Sequence, residues 1–350
     1  MVKTTQQWHL ASKPTDLPEL SGPNQTFKLV TTDLPALETD QVLVKALYLS
    51  NDPAQRGWIS PDADPERLYV PPVKVGTVMH ARGLAEVVDS QSERFKKGDT
   101  VLGSVGWSEY AVLNAKDVQP APDLPGGLSK THYLGALGLT GITAYYGIKV
   151  VAETQASDTV VVSGAAGATG MMVVQIAKKM LGCKRVIGIA GTDAKCKWVE
   201  SLGADICLNY KSSAFKDDLV RATEGFVDVY FDNVGGEILD LMFTRMARHS
   251  RIAACGAISA YNANSDRRAG LKNWFEVISM RIQVRGFIVL DYLSKMSEVL
   301  KEFRAALQEG KLKIDEQSEH VVEASFKEIP KTWLMLFDGS NTGKLVTSLR

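Results

Sequence analysis

Residues 158–195 read DTVVVSGAAGATGMMVVQIAKKMLGCKRVIGIAGTDAK, and the apolar run that ends in three closely spaced glycines limits the folds open to this chain. Val160, Val161 and Val162 have the length and composition of a parallel strand buried on both faces. Gly164, Gly167 and Gly170 crowd the turn that leads into a helix. That is the layout of a pyrophosphate cradle: glycines let backbone approach the phosphates and let the helix pack close on its strand, while the helix N-terminus offers unpaired N–H groups to the anion. A second strand, residues 185–190, ends in Gly191-Thr192 and not in Asp or Glu. An acidic side chain at that point would hold the ribose of NAD and repel a 2′-phosphate, so the pattern favours NADP(H) as the cofactor.

At 350 residues the chain exceeds the usual size of one hydrophobic core, which predicts two domains, and a hydrophobic content of 45% suffices to fill both. Lysine plus arginine equals aspartate plus glutamate at 40 each, which removes any bulk electrostatic case for nucleic acid or an anionic membrane. A small-molecule partner is expected. The start, MVKTTQQWHL, lacks the apolar core of a signal peptide, and no later stretch has the length and continuity to span a bilayer. A cytoplasmic protein is therefore expected, and the ending Ser348-Leu349-Arg350 departs from the peroxisomal signal. Cys183, Cys196, Cys207 and Cys255 stand singly, as reduced thiols do, and His9, His80, His132, His249 and His320 lie far apart. No metal site is expected from such spacing.

Up to about residue 125 the pattern is strand-like, with alternation over residues 41–49 and turns at Asn51-Asp52-Pro53, Pro71-Pro72 and Lys97-Gly98-Asp99. From Asp158 strands and helices alternate: strands at 160–163, 185–190, 206–209, 227–232 and 251–254, with helices reaching 180 and spanning 193–202, 215–223 and 237–247. This predicts a doubly wound parallel sheet. The apolar, glycine-rich residues 129–147 read as a connecting helix, and residues 283–290 as a terminal strand whose edge allows a homodimer.

The blocks LSNDPAQRGW from Leu49, FKKGDTVLGSVGWSEYAV from Phe95, LGLTGITAYYG from Leu137, AAGATG from Ala165, LNYK from Leu208, FDNVGGE from Phe231, CGAISAYN from Cys255, GFIVLDY from Gly286 and NTGKLV from Asn341 run nearly end to end. In order and spacing they resemble the zinc-independent medium-chain dehydrogenase/reductases of the prostaglandin reductase and alkenal double-bond reductase group. The resemblance implies an α/β fold: a GroES-like β-barrel domain from residues 1–130 and 312–350, and a Rossmann NADP-binding domain over 131–311. It sets Ala166, Gly167, Ala168, Thr169 and Gly170 against the pyrophosphate, and Lys195 and Tyr210 on the 2′-phosphate. Asn233, Cys255, Gly256, Ala257, Ile258, Ser259, Tyr261, Phe287, Ile288, Val289 and Asn341 would surround the ribose and nicotinamide. Lys195 also follows the acid-free strand end, where a cation reaches a phosphate.

The activity so implied is metal-independent, NADPH-dependent reduction of the C=C bond of α,β-unsaturated ketones and aldehydes: hydride to the β-carbon, then protonation at the α-carbon. Tyr261 is the expected catalytic donor to the developing enolate. Asn51, Ala54, Trp58 and Trp107 are expected at the substrate pocket. Asn51 before Asp-Pro is equally ordinary turn chemistry, and Ala54 stands where many relatives have tyrosine, which implies a wider pocket. A quinone oxidoreductase and a non-catalytic NADPH-binding redox sensor are the alternative readings. Tyr145 and Lys149 form a Tyr-x-x-x-Lys pair but precede the glycine turn, the reverse of short-chain dehydrogenase order. Zinc alcohol dehydrogenases supply a ligand cysteine and a Gly-His-Glu in the barrel, whereas this chain has no cysteine before Cys183 and reads Met79-His80-Ala81.

Overall fold

A computed structural model describes residues 2–263 and 270–349, and the chain divides into two compact units, Met1–Gly135 with His320–Arg350, and Ala136–Glu319. In the first unit β1 (Thr4–Leu10) and β2 (Phe27–Asp33) form an antiparallel pair. The main sheet of that unit is built on β3 (Gln41–Ser50), which pairs antiparallel with β4 (Gly83–Ser90) and, on residues 41–45, with β6 (Tyr110–Asn114). β5 (Thr100–Gly103) and the short β7 (Gln119–Pro120) extend it, and the one-turn helix α1 (Gln55–Trp58) follows the turn after β3. Alternation along β3 drives Val42, Val44, Ala46 and Leu49 into a core that also holds Leu10, Phe27, Val101 and Trp107.

The second unit opens with α2 (Leu139–Tyr145), whose end widens into a π-turn over Tyr146–Val151. The expected single helix over 129–147 is therefore two pieces, a 3₁₀ turn at Lys130–Leu134 and α2. Gly135, at φ −123° and ψ −113°, is where the helical path breaks. Next come β8 (Thr159–Ser163), α3 (Ala168–Gln175), β9 (Arg185–Ala190), α4 (Asp193–Leu202), β10 (Ile206–Asn209), α5 (Phe215–Ala222), β11 (Val227–Asp232), α6 (Gly236–Phe243), β12 (Met246–Ala254), α7 (Phe275–Ser279), β13 (Gln283–Gly286) and α8 (Met296–Gln308). All pairings are parallel, and the spatial order β10-β9-β8-β11-β12-β13 is that of two mononucleotide-binding halves meeting between β8 and β11. Val160, Val161 and Val162 are fully buried, as a strand covered by helices on both faces requires.

Two elements are shorter than their sequence pattern. The helix expected to residue 247 stops at Phe243 because Arg245 is drawn to the neighbouring strand: its carbonyl accepts from Val227 N–H at 3.0 Å and its Nε donates to Thr223 Oγ1 at 2.8 Å. The strand expected over 283–290 ends at Gly286, after which Phe287 packs edge-on against Phe231 with ring centres 6.2 Å apart. After α8 the chain returns to the first unit, where β14 (Glu319–Ala324), α9 (Ile329–Asp338) and β15 (Lys344–Leu349) complete the sheet order β14-β15-β3-β4-β5-β7. Trp333 of α9 joins Phe27 and Trp107 in the barrel core, at centroid distances of 5.9 and 5.8 Å. The architecture is the GroES-like barrel plus Rossmann sheet that the sequence predicts. No helix among the described residues is long and apolar enough to cross a membrane.

One of the tightest approaches in the second unit lies between the end of β8 and α3. A Cβ on Gly170 would meet Gly164 O at 2.2 Å and Ala165 Cα at 2.8 Å, backbone atoms that cannot turn aside. Gly170→Ala is expected to cost about 2 kcal/mol through overpacking, read as a fall of about 4–8 °C in thermal midpoint. An unchanged midpoint would show that the helix can retreat without loss.

Candidate active site

The β8–α3 turn has the features that an anion cradle needs. Gly164 sits at φ 59°, Gly167 N–H closes the turn on Gly164 O at 2.9 Å, and Gly167 caps α3 with no side-chain hydrogen bond. The first N–H groups of α3, on Ala168, Thr169 and Gly170, therefore begin the helix without an oxygen from a capping side chain. Ala166 is buried beneath the turn. Unpaired N–H groups at a helix N-terminus are the electrostatic partner that a phosphate needs.

Beside it, β11 ends in a polar knot built around Asp232, which is 2% exposed. Asp232 Oδ1 accepts from Ser163 Oγ at 3.1 Å, Tyr230 Oη at 2.8 Å, Val234 N–H at 3.0 Å and Gly235 N–H at 2.9 Å. Asn233 is locked in turn, its N–H donating to Ser163 Oγ and its Nδ2 to Ser163 O at 2.7 Å. Gly164 and Asn233 lie face to face: a Cβ on the glycine would come 3.4 Å from the Asn233 Cβ. The sequence singled out Asn233 but not Ser163 or Asp232, which set its position. An aspartate closing an apolar strand was the available signal, since a buried carboxylate must find donors.

The segment Cys255–Tyr261 hangs from the same knot. Cys255 N–H and Gly256 N–H both donate to Asp232 O, at 2.9 and 3.0 Å, and Ser259 Oγ donates to Val234 O at 2.7 Å. Ala257 N–H donates to Tyr261 Oη at 3.2 Å, so the phenol is folded back over its own turn, with Ile258 between them in the chain. Burial, and next the Asp232 charge, push the Cys255 thiol up to about 12, so it stays neutral and unreactive. Phe287 lies against Phe231 and Gly147; a Cβ on Gly147 would touch both rings at 2.5 Å. Ile288 and Val289, which follow it, are half-buried.

At the ends of β9 and β10, Gly191 and Tyr210 come together, and Lys195 stands in the first turn of α4. Thr192 caps α4 by accepting from Lys195 N–H at 3.2 Å. Tyr210 is 44% exposed, and its ring would lie 3.1 Å from a Cβ on Gly191, so a side chain there would push the ring outward. Lys211 Nζ stands 5.9 Å from the centre of that ring.

The barrel unit holds the expected substrate residues. Asn51 is 1% exposed; its N–H donates to Leu345 O at 3.2 Å and its Nδ2 to Thr347 Oγ1 at 2.9 Å, the bonds of a turn tied to β15. Ala54 and Trp58 are half-buried, and the Trp58 indole N–H donates to Tyr69 Oη at 3.4 Å. Trp107 departs from the expectation: it is 0% exposed, packed between Phe27 and Trp333, and contributes to the core and not to a pocket wall. Its apolar bulk suits either place, and only the tertiary contacts choose. Asn341 Nδ2 donates to Gly343 O at 3.2 Å, in the turn before β15. The Tyr145–Lys149 pair is structural: Tyr145 Oη donates to Glu302 Oε1 at 2.7 Å and Lys149 reaches both, which pins α2 to α8.

Lys344, which the sequence reading passed over, is 2% exposed and donates to Asn51 O at 2.8 Å and to Asp52 Oδ1 at 2.5 Å. One cation in an otherwise uncharged strand was the signal that could have found it. Lys344→Met removes the buried cation bonded to Asp52 and leaves the Asn51 carbonyl without its donor, and a loss of about 3 kcal/mol is expected in urea unfolding. A loss well under 1 kcal/mol would show that water replaces the lysine.

Two family models match: the N-terminal domain of oxidoreductase over residues 6–121 and zinc-binding dehydrogenase over residues 168–306. Among the described residues no group of three or more His, Cys, Asp or Glu could hold a metal ion. Prostaglandin reductase 1 of Bos taurus is 35% identical over 327 residues, covering 92% of this chain and 94% of its own. The NADP(+)-dependent 2-alkenal reductase of Nicotiana tabacum is 37% identical over 327 residues, 91% of each chain. The crystal structure of CurA in complex with NADPH from Vibrio vulnificus superposes with a TM-score of 0.87 at 31% identity over 99% of both chains. With both units matched and relatives aligned along nearly its whole length, the chain belongs to the medium-chain dehydrogenase/reductases, in the group of the prostaglandin and 2-alkenal reductases.

Proposed function

We propose that this protein is an NADPH-dependent reductase that saturates the C=C bond of α,β-unsaturated ketones and aldehydes without a metal. The cofactor half of the proposal is carried by one observation: a glycine cradle opens α3 after β8, while on the neighbouring strands Lys195 stands in the first turn of the helix after β9 and Tyr210 directly follows β10, against Gly191. The substrate half draws support from relatives whose names specify prostaglandins and 2-alkenals. The absence of a barrel cysteine, and His80 followed by Ala81, support a metal-independent route.

In this reading Ala166 to Gly170 hold the pyrophosphate, and Lys195 with Tyr210 hold the 2′-phosphate. Asn233, the Cys255–Tyr261 segment, Phe287 to Val289 and Asn341 frame the nicotinamide riboside. The chemistry available there when the cofactor is bound is hydride delivery to the β-carbon of the enone. The protein's own task is to stabilise the negative charge that collects on the carbonyl oxygen. Tyr261 is suited to it: its oxygen accepts from Ala257 N–H, which orients the phenol, and a phenol is a donor as well as an acceptor. Asn51, Ala54 and Trp58 remain the residues proposed to meet the substrate. Ala54 offers only a methyl there, and the partly exposed Trp58 and Tyr69 add an aromatic surface beside it.

Oxidation of NADPH and of NADH is to be followed against enones, enals and quinones. Loss of enone absorbance with a strong preference for NADPH is expected. Turnover of quinones alone selects the quinone reductase reading, and tight NADPH binding with no turnover selects the sensor. Lys195→Ala should weaken the preference for NADPH by about tenfold or more, since a charge-assisted phosphate contact contributes about 1.5–3 kcal/mol. Tyr261→Phe should lower kcat by about 100-fold. Turnover and NADPH affinity both unchanged in that variant would end its catalytic assignment.

A further inference from the structure

The strand end read as free of acid is followed three residues later by a carboxylate, because Asp193 is the first residue of α4 and is exposed. It lies two residues before Lys195, on the turn proposed to hold a 2′-phosphate. A carboxylate free to swing there would repel the phosphate and offer an acceptor to the bare ribose hydroxyl of NADH. In this structure it is not free. Asn209, the last residue of β10, donates through Nδ2 to Asp193 Oδ1 at 2.8 Å.

The orientation of the Asn209 amide is fixed by chemistry. Its Oδ1 accepts from Lys211 N–H at 3.0 Å, and a backbone N–H can only donate. The other end of the amide must then be the NH₂ group, and a carboxylate can only accept from it. One side chain thus does two things: it shapes the turn that carries Tyr210 and Lys211, and it draws Asp193 toward β10. The same turn is closed by Ser212 N–H on Asn209 O at 3.0 Å and by Tyr210 N–H on Ala190 O at 3.0 Å.

We propose that Asn209 is a specificity-determining positioning residue, which holds the Asp193 carboxylate away from the adenosine ribose and so sustains selection of a 2′-phosphorylated dinucleotide. The inference rests on the cofactor reading given above. Its test is the ratio of kcat/KM for NADPH to that for NADH, measured on the wild-type protein, Asn209→Ala, Asp193→Asn and the double variant. Asn209→Ala should lower the ratio by about tenfold, through weaker NADPH use and stronger NADH use together. Asp193→Asn alone should keep the wild-type ratio or exceed it. Asn209→Ala added to Asp193→Asn should then change the ratio by less than about twofold, because no charge is left to release.

A purely structural role for Asn209 in the turn predicts otherwise: both cofactors weaken together, and Asp193→Asn rescues nothing. Either that result or an unchanged ratio in Asn209→Ala overturns the proposal. Asn209→Ser keeps an oxygen that can accept from Lys211 N–H, adds no charge and is too short to reach Asp193, so it must give the same fall, and it serves if the alanine variant does not fold. A wild-type protein indifferent to the 2′-phosphate would instead overturn the cofactor reading itself, whatever the variants do.

Discussion

The contact on which the Rossmann unit depends is backbone against backbone, where Gly170 of α3 passes Gly164 and Ala165 at the end of β8. A side chain on Gly170 would overlap the Gly164 carbonyl at 2.2 Å, so the helix can lie this close only because nothing projects from it. That approach fixes where the first turn of α3 stands, and hence where its unpaired N–H groups converge. It also fixes the opposite wall, because Gly164 faces Asn233 across the gap between β8 and β11. The site follows from packing geometry before any reactive side chain is considered.

Around that gap the polar groups form a hierarchy. Asp232 gathers four donors on one buried oxygen, its backbone carbonyl receives two more from Cys255 and Gly256, and Asn233 hangs from Ser163. A carboxylate so satisfied contributes rigidity and not reactivity. It explains why residues far apart in sequence, Ser163, Asn233 and Tyr261, keep a common frame. The barrel unit repeats the device with the opposite sign: Lys344, buried, gathers the Asn51 carbonyl and Asp52 so that β15 is tied to the turn after β3. In both units a buried charge that has found its partners holds the segment on which specificity is expected.

Much of this was legible beforehand. Strands β9, β10 and β11 and helix α4 carry the bounds their residue pattern indicates, because Val and Ile runs capped by Gly, Thr or Asp leave little choice of register. The boundaries that moved, at Phe243 and Gly286, moved because Arg245 is drawn to Thr223 and Phe287 to Phe231, contacts between residues that no local pattern joins. Trp107 was misplaced for the same reason: an apolar ring is at home in a core or in a pocket, and its neighbours Phe27 and Trp333 decide. Asp193 illustrates the converse, since its carboxylate is held by an asparagine on the next strand, a partner that no local pattern announces.

By itself the sequence determined the order of elements, the glycine turn, the lack of an acid at the end of β9 and the family, because these depend on local backbone freedom and on motifs in fixed order. The tertiary structure decided which polar atoms meet. It buried Asp232 and Lys344 among their partners, folded Tyr261 back onto Ala257, laid Tyr210 over Gly191 and turned Asp193 toward Asn209. Apart from the local Tyr261 turn, those outcomes depend on distances between chain segments well separated in sequence, which close only when the strands are stacked in their parallel order and the C-terminal strand returns to the barrel.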